Sequence, residues 1–240
     1  MLDRNHIVAQ LNTPYAVWVT EESPSTNTAL KEWGAPSIGT TLIAERQTAG
    51  RGRFGRTFHS PEGGLYLSVL VEPAEAITCR AAVAAARAIE SLCDLRVEIK
   101  WVNDLYVNGR KVAGILAEGV LSPDGTLAAV VLGIGINVGA TAFPDELRPI
   151  ATSLGNEGVT LTREDVAAAF LNALSRALTD PTAMEEYRRR NWVVGRQVTV
   201  VRGNETYPAT AVSITDEGHL VVRTADGVTT LSSGEVSLRL

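Results

Sequence analysis

The chain of 240 residues contains 45% hydrophobic and 20% charged residues and has a formal net charge of −5. This composition excludes a disordered or collagen-like chain, and the negative net charge argues against a protein whose main task is to coat nucleic acid. At roughly 150 residues per domain, the length predicts one or two domains.

The N-terminus and the two cysteines indicate a cytoplasmic protein. No apolar segment follows a basic start in the first residues, so we expect no signal peptide. The longest uncharged stretch, residues 125–144, contains several glycines, which favours a buried strand and a turn over a membrane span. Cys79 and Cys93 lie about 21 Å apart on one predicted helix, too far for a disulfide. Free thiols are typical of a reducing compartment.

Helices and strands alternate in the first part of the chain. The pattern predicts, in order, a helix over 3–11, a strand over 15–20, a helix over 25–33, strands over 40–45 and 65–71, a helix over 78–93 and a strand over 97–101. The intervening residues 47–56, dominated by glycine and arginine, are predicted to form a loop.

A β-hairpin follows, because Asn108-Gly109 is a strong signal for a two-residue turn. Regular pairing from this turn places Tyr106 opposite Lys111 and Asp104 opposite Ala113, so that the four side chains share one face. Lys111 lies among apolar neighbours, and an ammonium in such a place requires an anionic partner. The lysine is therefore a candidate ligand contact.

The remaining chain predicts a strand over 128–136 and helices over 163–178 and 184–191. From about Val194 the pattern changes, and it predicts short strands separated by Gly203-Asn204, by residues 216–218 and by Asp226-Gly227. Such spacing predicts a small β-barrel of about 45 residues. We place the boundary within residues 192–195, which gives domains 1–192 and 193–240.

The most distinctive motif is the loop Gly50-Arg51-Gly52-Arg53-Phe54-Gly55-Arg56. It satisfies G-x-G-x-x-G, but residues 57–64 cannot form the helix that a dinucleotide fingerprint needs. RNA-binding tracts of this type repeat, whereas this one occurs once; a solvated loop without a role is the remaining alternative. We interpret the segment as a mobile loop that closes over an anion, because arginine side chains match phosphate oxygens.

Three further motifs are candidate ligand contacts. In residues 100–104, Lys100-Trp101-Val102-Asn103-Asp104, the lysine and the asparagine could bind a phosphate and a base or metal. The alternative is that the segment is only a charged edge strand followed by a turn. The glycines of Gly133-Ile134-Gly135-Ile136-Asn137 suit a flat ligand lying on a strand, with Asn137 offering an amide, or merely a strand that needs small residues. Ser25-Thr26-Asn27 suits a polar ring or a plain helix cap. The sequence has no P-loop, no Cys/His metal spacing and no Ser-His-Asp order.

In this order the motifs resemble those of the biotin–protein ligases. The resemblance rests on residues 25–27, 45–56, 100–104, 108–118 and 133–137, and the C-terminal β-module extends it over nearly the whole chain. Two positions depart from the family pattern: Val102 replaces a proline and Phe58 replaces a tryptophan. Too few residues precede the first predicted strand for a winged helix-turn-helix domain, so operator DNA is not an expected partner.

The resemblance implies an α+β fold: a mixed β-sheet flanked by helices, of the class II synthetase-like, biotin–lipoate ligase type, and a C-terminal SH3-like β-barrel. It implies that biotin and ATP form biotinyl-5′-AMP, with Mg²⁺ bridging phosphates, and that a lysine of a biotin carboxyl carrier domain then accepts biotin. It leaves the metal ligands unnamed and a homodimer open. A lipoate–protein ligase and a non-catalytic biotin sensor are the alternatives.

The resemblance also implies roles for individual residues. The catalytic residues would be Lys111, Arg53, Arg51 and Lys100. The biotin-binding residues would be Ser25, Thr26, Asn27, Gln47, Arg51, Gly52, Arg53 and Lys111. The nucleotide-binding residues would be Arg53, Arg56, Phe58, Lys100, Asn103 and Asn137. The polar residues 25–27 argue against a lipoate ligase, and the retained loop arginines and Lys111 argue against a mere binder.

Overall fold

A computed structural model describes residues 2–34, 36–232 and 236–239, with side chains up to residue 232. The helices are α1 (Arg4–Ala9), α2 (Thr26–Glu32), α3 (Ile77–Leu92), α4 (Arg163–Ala177) and α5 (Ala183–Arg190). The strands are β1 (Ala16–Ser23), β2 (Thr40–Gln47), β3 (Leu65–Val71), β4 (Glu98–Lys100), β5 (Asp104–Val107), β6 (Arg110–Leu121), β7 (Leu127–Ile136), β8 (Gln197–Arg202), β9 (Glu205–Ile214), β10 (Leu220–Thr224), β11 (Gly227–Leu231) and β12 (Val236–Arg239). Every predicted helix and strand is present, with ends shifted by a few residues.

The larger sheet is mixed, as predicted. Its seven strands lie in the order β1-β2-β3-β7-β6-β5-β4, with β1 parallel to β2 and the other neighbours antiparallel. Side chains that alternate along β3 separate two apolar layers. Leu67 and Val69 pack in the main core with α3 and α4, whereas Leu70 packs with Leu30 of α2 on the other face. Helix α2 therefore covers the face opposite the main core.

The C-terminal strands form a separate five-stranded antiparallel sheet in the order β11-β10-β9-β8-β12. Among the described residues no pairing joins β11 to β12, so the sheet is open there and the predicted closed barrel is not confirmed. Residues 233–235 and 240 of the predicted second domain lie outside the described residues. No helix in the described part of the chain is both long and apolar enough to span a membrane.

The predicted pairing of Asp104 with Ala113 is wrong. Tyr106 pairs with Lys111 as expected, but β6 then has one extra residue, Val112, before the pairing resumes. This bulge shifts the register by one residue, so that Asp104 pairs with Gly114. Ala113 pairs with Leu105 instead, and its side chain is completely buried. The bulge bends β6 beside the residues that follow β4.

Candidate active site

A cavity of about 160 Å³ lies on the α2 face of the larger sheet. Its wall includes twelve of the thirteen residues that the sequence predicted as site residues: Ser25, Thr26, Asn27, Gln47, Arg51, Gly52, Arg53, Arg56, Phe58, Lys100, Asn103 and Lys111. Residues from α2, β2, the arginine loop, β4 and the β5–β6 hairpin thus meet at one place.

Asn137 is the predicted site residue that the structure does not bring to the cavity. It follows the end of β7 and is buried. Its side-chain Nδ2 donates a hydrogen bond of 2.8 Å to the carbonyl oxygen of Thr152. The amide therefore supports a neighbouring loop, and its predicted contact with a nucleotide has no geometric support.

A hydrogen-bond network fixes the first turn of α2. Ser25 caps the helix, as predicted, by accepting from the backbone N–H of Thr28. Gln47 Oε1 accepts from both the backbone N–H and the hydroxyl of Thr26, at 2.9 and 3.2 Å, and Gln47 Nε2 donates to Ser60 Oγ at 3.0 Å. Because both ends of the Gln47 amide are engaged, its orientation is set.

The side chain of Asn27 is also held on both sides. Its Nδ2 donates to the carbonyl oxygen of Leu116 at 3.2 Å and to Glu118 Oε2 at 2.9 Å. Its Oδ1 accepts a hydrogen bond of 2.6 Å from the hydroxyl of Ser68, which is fully buried on β3. The amide oxygen and its neighbouring hydroxyls form the polar part of the cavity wall.

Gly133 and Gly135 of β7 lie in the cavity wall and make room for side chains of the protein itself, while a flat ligand against the strand stays a prediction. A Cβ on Gly133 would lie 2.0 Å from Asn27 Oδ1, and a Cβ on Gly135 would lie 2.4 Å from Phe58 Cε1. No side chain fits at either position unless Asn27 or Phe58 moves. The two glycines thus allow these predicted contacts to lie close to the sheet.

Five cations line the cavity: Arg51, Arg53, Arg56, Lys100 and Lys111. Asp104 is the one carboxylate among the described residues of the wall, and its Oδ1 lies 2.6 Å from Lys111 Nζ. The same ammonium lies 5.8 Å from the centre of the Phe58 ring. The wall therefore has an excess of positive charge that suits a polyanionic ligand.

The arginine loop is internally hydrogen bonded. Gly52 N donates to the carbonyl oxygen of Arg56 at 2.7 Å, and Phe54 adopts a left-handed conformation with φ of 56°. Arg53 Nη1 donates to Asn103 Oδ1 at 3.3 Å, which joins the loop to the segment after β4. The prediction of a loop is confirmed, and its movement on ligand binding stays a prediction.

Lys100 has a depressed pKa. Burial is the main cause, and the nearby charges of Lys111 and Arg56 lower the pKa further, while Asp104 opposes them. A cation that is desolvated and crowded by other cations gains from the arrival of an anion. This lysine is therefore suited to contact a phosphate.

The sequence analysis assigned no role to several residues that support the site. Ser68, Ser60 and Glu118 hold the predicted contacts in place, and Trp101 and Asp104, which belong to the predicted motif 100–104, lie in the wall. Ser68 had a signal, because it is a small polar residue in the otherwise apolar strand β3. Glu118 lies at period-2 spacing from Gly114 on β6, which places both on the cavity side of the sheet.

Comparisons with known proteins identify relatives of this chain by sequence and by fold. Residues 19–137 match the Biotin/lipoate A/B protein ligase family, and residues 193–239 match the Biotin protein ligase C terminal domain. The Bifunctional ligase/repressor BirA of Bacillus subtilis is 34% identical over an alignment of 219 residues that covers 83% of this chain and 66% of that protein. This chain thus spans slightly less than two thirds of that relative.

Two other similar proteins are covered more completely. The Biotin--[acetyl-CoA-carboxylase] ligase of Mycobacterium tuberculosis is 34% identical over an alignment of 221 residues that covers 85% of this chain and 80% of that one. The structure of the biotin protein ligase from Aquifex aeolicus in complex with biotin and ATP superimposes with a TM-score of 0.81 at 32% identity, covering 93% of this chain and 98% of that chain. By sequence and by fold, this chain belongs to the biotin protein ligase family.

Proposed function

We propose that the protein is an ATP-dependent biotin–protein ligase. The observation that supports this most is the meeting of a polar pocket at α2 with five cationic side chains around one cavity. In the first step an oxygen of the biotin carboxylate attacks the α-phosphorus of ATP, and pyrophosphate leaves. In the second step a lysine amine attacks the acyl carbon of biotinyl-5′-AMP, AMP leaves, and an amide forms.

The polar part of the wall suits the ureido ring of biotin. Asn27 Oδ1 accepts one hydrogen bond from Ser68 and retains a second lone pair for a ligand N–H. The hydroxyl of Thr26 lies beside it, within hydrogen-bond distance of Ser68 Oγ at 2.7 Å. A dithiolane ring has no N–H to offer, so this lining favours biotin over lipoate.

The cationic residues supply electrostatic stabilisation. Negative charge develops on the phosphate oxygens as the carboxylate attacks, and prepositioned cations lower the energy of that state. Lys111 lies on an ordered strand and is held by Asp104, whereas Arg51 and Arg53 belong to a loop. Two reactants held in line by such contacts react without a nucleophile from the protein, and the described wall contains neither cysteine nor histidine.

The site is suited to Mg²⁺ that arrives with the nucleotide. Among the described residues no group of three or more His, Cys, Asp or Glu side chains could hold a metal ion. Mg²⁺ commonly binds through one or two carboxylates together with substrate phosphates and water, and Asp104 is the carboxylate available in the wall. Bound there, Mg²⁺ would neutralise phosphate charge while Lys100 and Lys111 orient the nucleotide.

The acceptor in this proposal is a biotin carboxyl carrier domain of a carboxylase, in line with the name of the Mycobacterium tuberculosis relative, a biotin--[acetyl-CoA-carboxylase] ligase. We propose a cytoplasmic location because both cysteines, buried Cys79 and half-buried Cys93, are free thiols.

Biotin-dependent exchange of labelled pyrophosphate into ATP tests the proposal. With Mg²⁺ present and no acceptor, we expect exchange with biotin and none with lipoate. Exchange with lipoate alone would make the protein a lipoate ligase. Tight biotin binding without exchange would make it a sensor. A purified carrier domain then tests the second step, with transfer to its lysine as the expected result.

A further inference from the structure

We propose that Glu118 is a positioning residue that determines which atom of Asn27 faces the ligand. The inference rests on the proposed function and deepens it, because it concerns recognition of the ureido ring. Glu118 is on β6, its side chain is 15% exposed, and it is not part of the cavity wall. It would therefore act on the ligand only through its neighbours.

The chemistry of the contact fixes the orientation of the amide. An ionised carboxylate and a backbone carbonyl only accept hydrogen bonds. Glu118 Oε2 and the carbonyl oxygen of Leu116 lie on the same side of the Asn27 side chain, at 2.9 and 3.2 Å. The NH₂ group must face them, and the oxygen must face Ser68 and Gly133 of the cavity wall. Glu118 is the nearer and the charged one of the two acceptors, so without it only the Leu116 carbonyl opposes a flipped amide, which would present a donor where the ureido ring also offers donors.

The other partners of Glu118 are weaker. Lys31 Nζ lies 3.6 Å and Arg51 Nη2 lies 3.4 Å from Glu118 Oε1, and the two cationic side chains are 37% and 51% exposed. The cationic ends of these pairs lie in contact with water, which screens them at such distances, so the pairs contribute less than a short hydrogen bond. The hydrogen bond to Asn27, whose side chain is buried, is therefore the contact through which Glu118 acts.

A double-mutant cycle on biotin affinity, measured by calorimetry without ATP, tests this role. Loss of a hydrogen bond to a charged group predicts that Glu118→Ala weakens biotin binding about ten- to hundredfold. Because the effect passes through Asn27, the double variant Asn27→Ala/Glu118→Ala should bind within about twofold of Asn27→Ala alone. Losses that multiply, or Glu118→Ala binding biotin like the parent protein, would overturn the proposal.

Conservative and control variants separate positioning from a merely structural role. Glu118→Gln retains an oxygen that can accept from Asn27 and should bind biotin within about threefold of the parent protein. Lys31→Gln removes an ion pair of Glu118 without touching Asn27 and should leave biotin affinity unchanged. In pyrophosphate exchange, Glu118→Ala should raise the KM for biotin while the KM for ATP and kcat at saturating biotin stay near the parent values. Equal changes in both KM values would contradict the role.

Thermal unfolding of every variant accompanies these measurements. If Glu118→Ala does not fold, Glu118→Met keeps the length of the side chain without an acceptor and takes its place in the cycle. If neither folds, Glu118 is structural and the proposal is wrong. A parent protein that shows no biotin-dependent exchange would refute the proposed function, whereas normal exchange with an unaffected Glu118→Ala would refute only the role of Glu118.

Discussion

The indole Nε1 of Trp101 donates a hydrogen bond of 2.9 Å to the carbonyl oxygen of Gly218. Trp101 is in the cavity wall, and Gly218 is in the turn between β9 and β10. Gly218 has a φ of +81°, and a Cβ there would lie 2.7 Å from Cys79 Sγ of α3. The turn therefore packs closely against the larger sheet and its helix, and it ties the C-terminal sheet to the cavity.

Replacing Trp101 with phenylalanine should destabilise the protein. Phenylalanine keeps an aromatic ring, but the ring is smaller and the buried Gly218 carbonyl loses its donor, which by itself costs about 1–3 kcal/mol. Urea unfolding measures the change in the free energy of unfolding. The control is Trp33→Phe, because Trp33 is 36% exposed and should tolerate the change. Unfolding of Trp101→Phe at the parent urea concentration would show that the bond does not stabilise the fold.

Arg53→Gly should release biotinyl-5′-AMP without abolishing its synthesis. Arg53 is bound to Asn103 and belongs to the loop that we expect to close over the product. Loss of one charge-assisted contact, about 1.5–3 kcal/mol, predicts an off-rate about ten- to hundredfold higher. Bystander proteins should then be biotinylated at exposed lysines, as detected by streptavidin blotting. Labelling confined to the carrier domain would mean that the loop does not retain the intermediate.

Lys111→Gln should slow adenylation by about 10²–10³, the usual cost of a lost preorganised donor. Biotin binding should fall much less. The 2.6 Å pair with Asp104 gives a competing interpretation, in which Lys111 only supports the hairpin. In that case the variant would melt at a lower temperature while the folded fraction turned over normally. Measuring turnover and melting on one preparation distinguishes the two.

Gly133→Ala and Gly135→Ala in β7 should each weaken the binding of a different substrate. Gly133→Ala would displace the Asn27 oxygen, 2.0 Å from the new Cβ, and should raise the KM for biotin. Gly135→Ala would displace Phe58, 2.4 Å away, and should raise the KM for ATP. Gly34→Ala is the matched control, since nothing lies within 4 Å of its Cβ position. Equal effects of the two β7 substitutions on both KM values would contradict this division.

The lowered pKa of Lys100 predicts a pH dependence. As the pH rises toward the ordinary lysine value of 10.5, folded Lys100 loses its charge before an unfolded lysine does. The unfolded state then binds more protons, so the contribution of Lys100 to stability rises with pH in this window. ATP affinity should fall over the same window, because the phosphate contact loses its charge. Lys100→Arg should keep its affinity to higher pH, and identical profiles for both proteins would exclude Lys100 as the cause.

Local signals were sufficient for most of the fold. The Asn108-Gly109 turn, the Ser25 and Thr162 caps and the apolar strand over 65–71 are set by nearby residues, and the structure has all of them. The bulge at Val112 was not predictable, because it depends on how β6 pairs with both β5 and β7. Whether the C-terminal sheet closes into a barrel depends in the same way on contacts between strands that are distant in the sequence, so local signals did not determine it.

The site residues show the same difference between features that nearby residues determine and features that depend on distant contacts. Residues whose type suggests a ligand, such as Arg53 and Lys111, were identified from sequence and do line the cavity. Asn137 has a suitable side chain, but a partner 15 residues along the chain binds its amide. Ser68 and Glu118 act on other side chains, so their roles appear only when the strands are assembled.

The position of Trp101 has a practical consequence for following the reaction. Of the four tryptophans, Trp18 and Trp33 are 53% and 36% exposed, and Trp101 is the one in the described cavity wall. Replacing Trp18, Trp33 and Trp192 with phenylalanine would leave a single indole, in the wall of the cavity. Its emission would change as ligands enter and leave, which gives a label-free optical signal for stopped-flow measurement of each step.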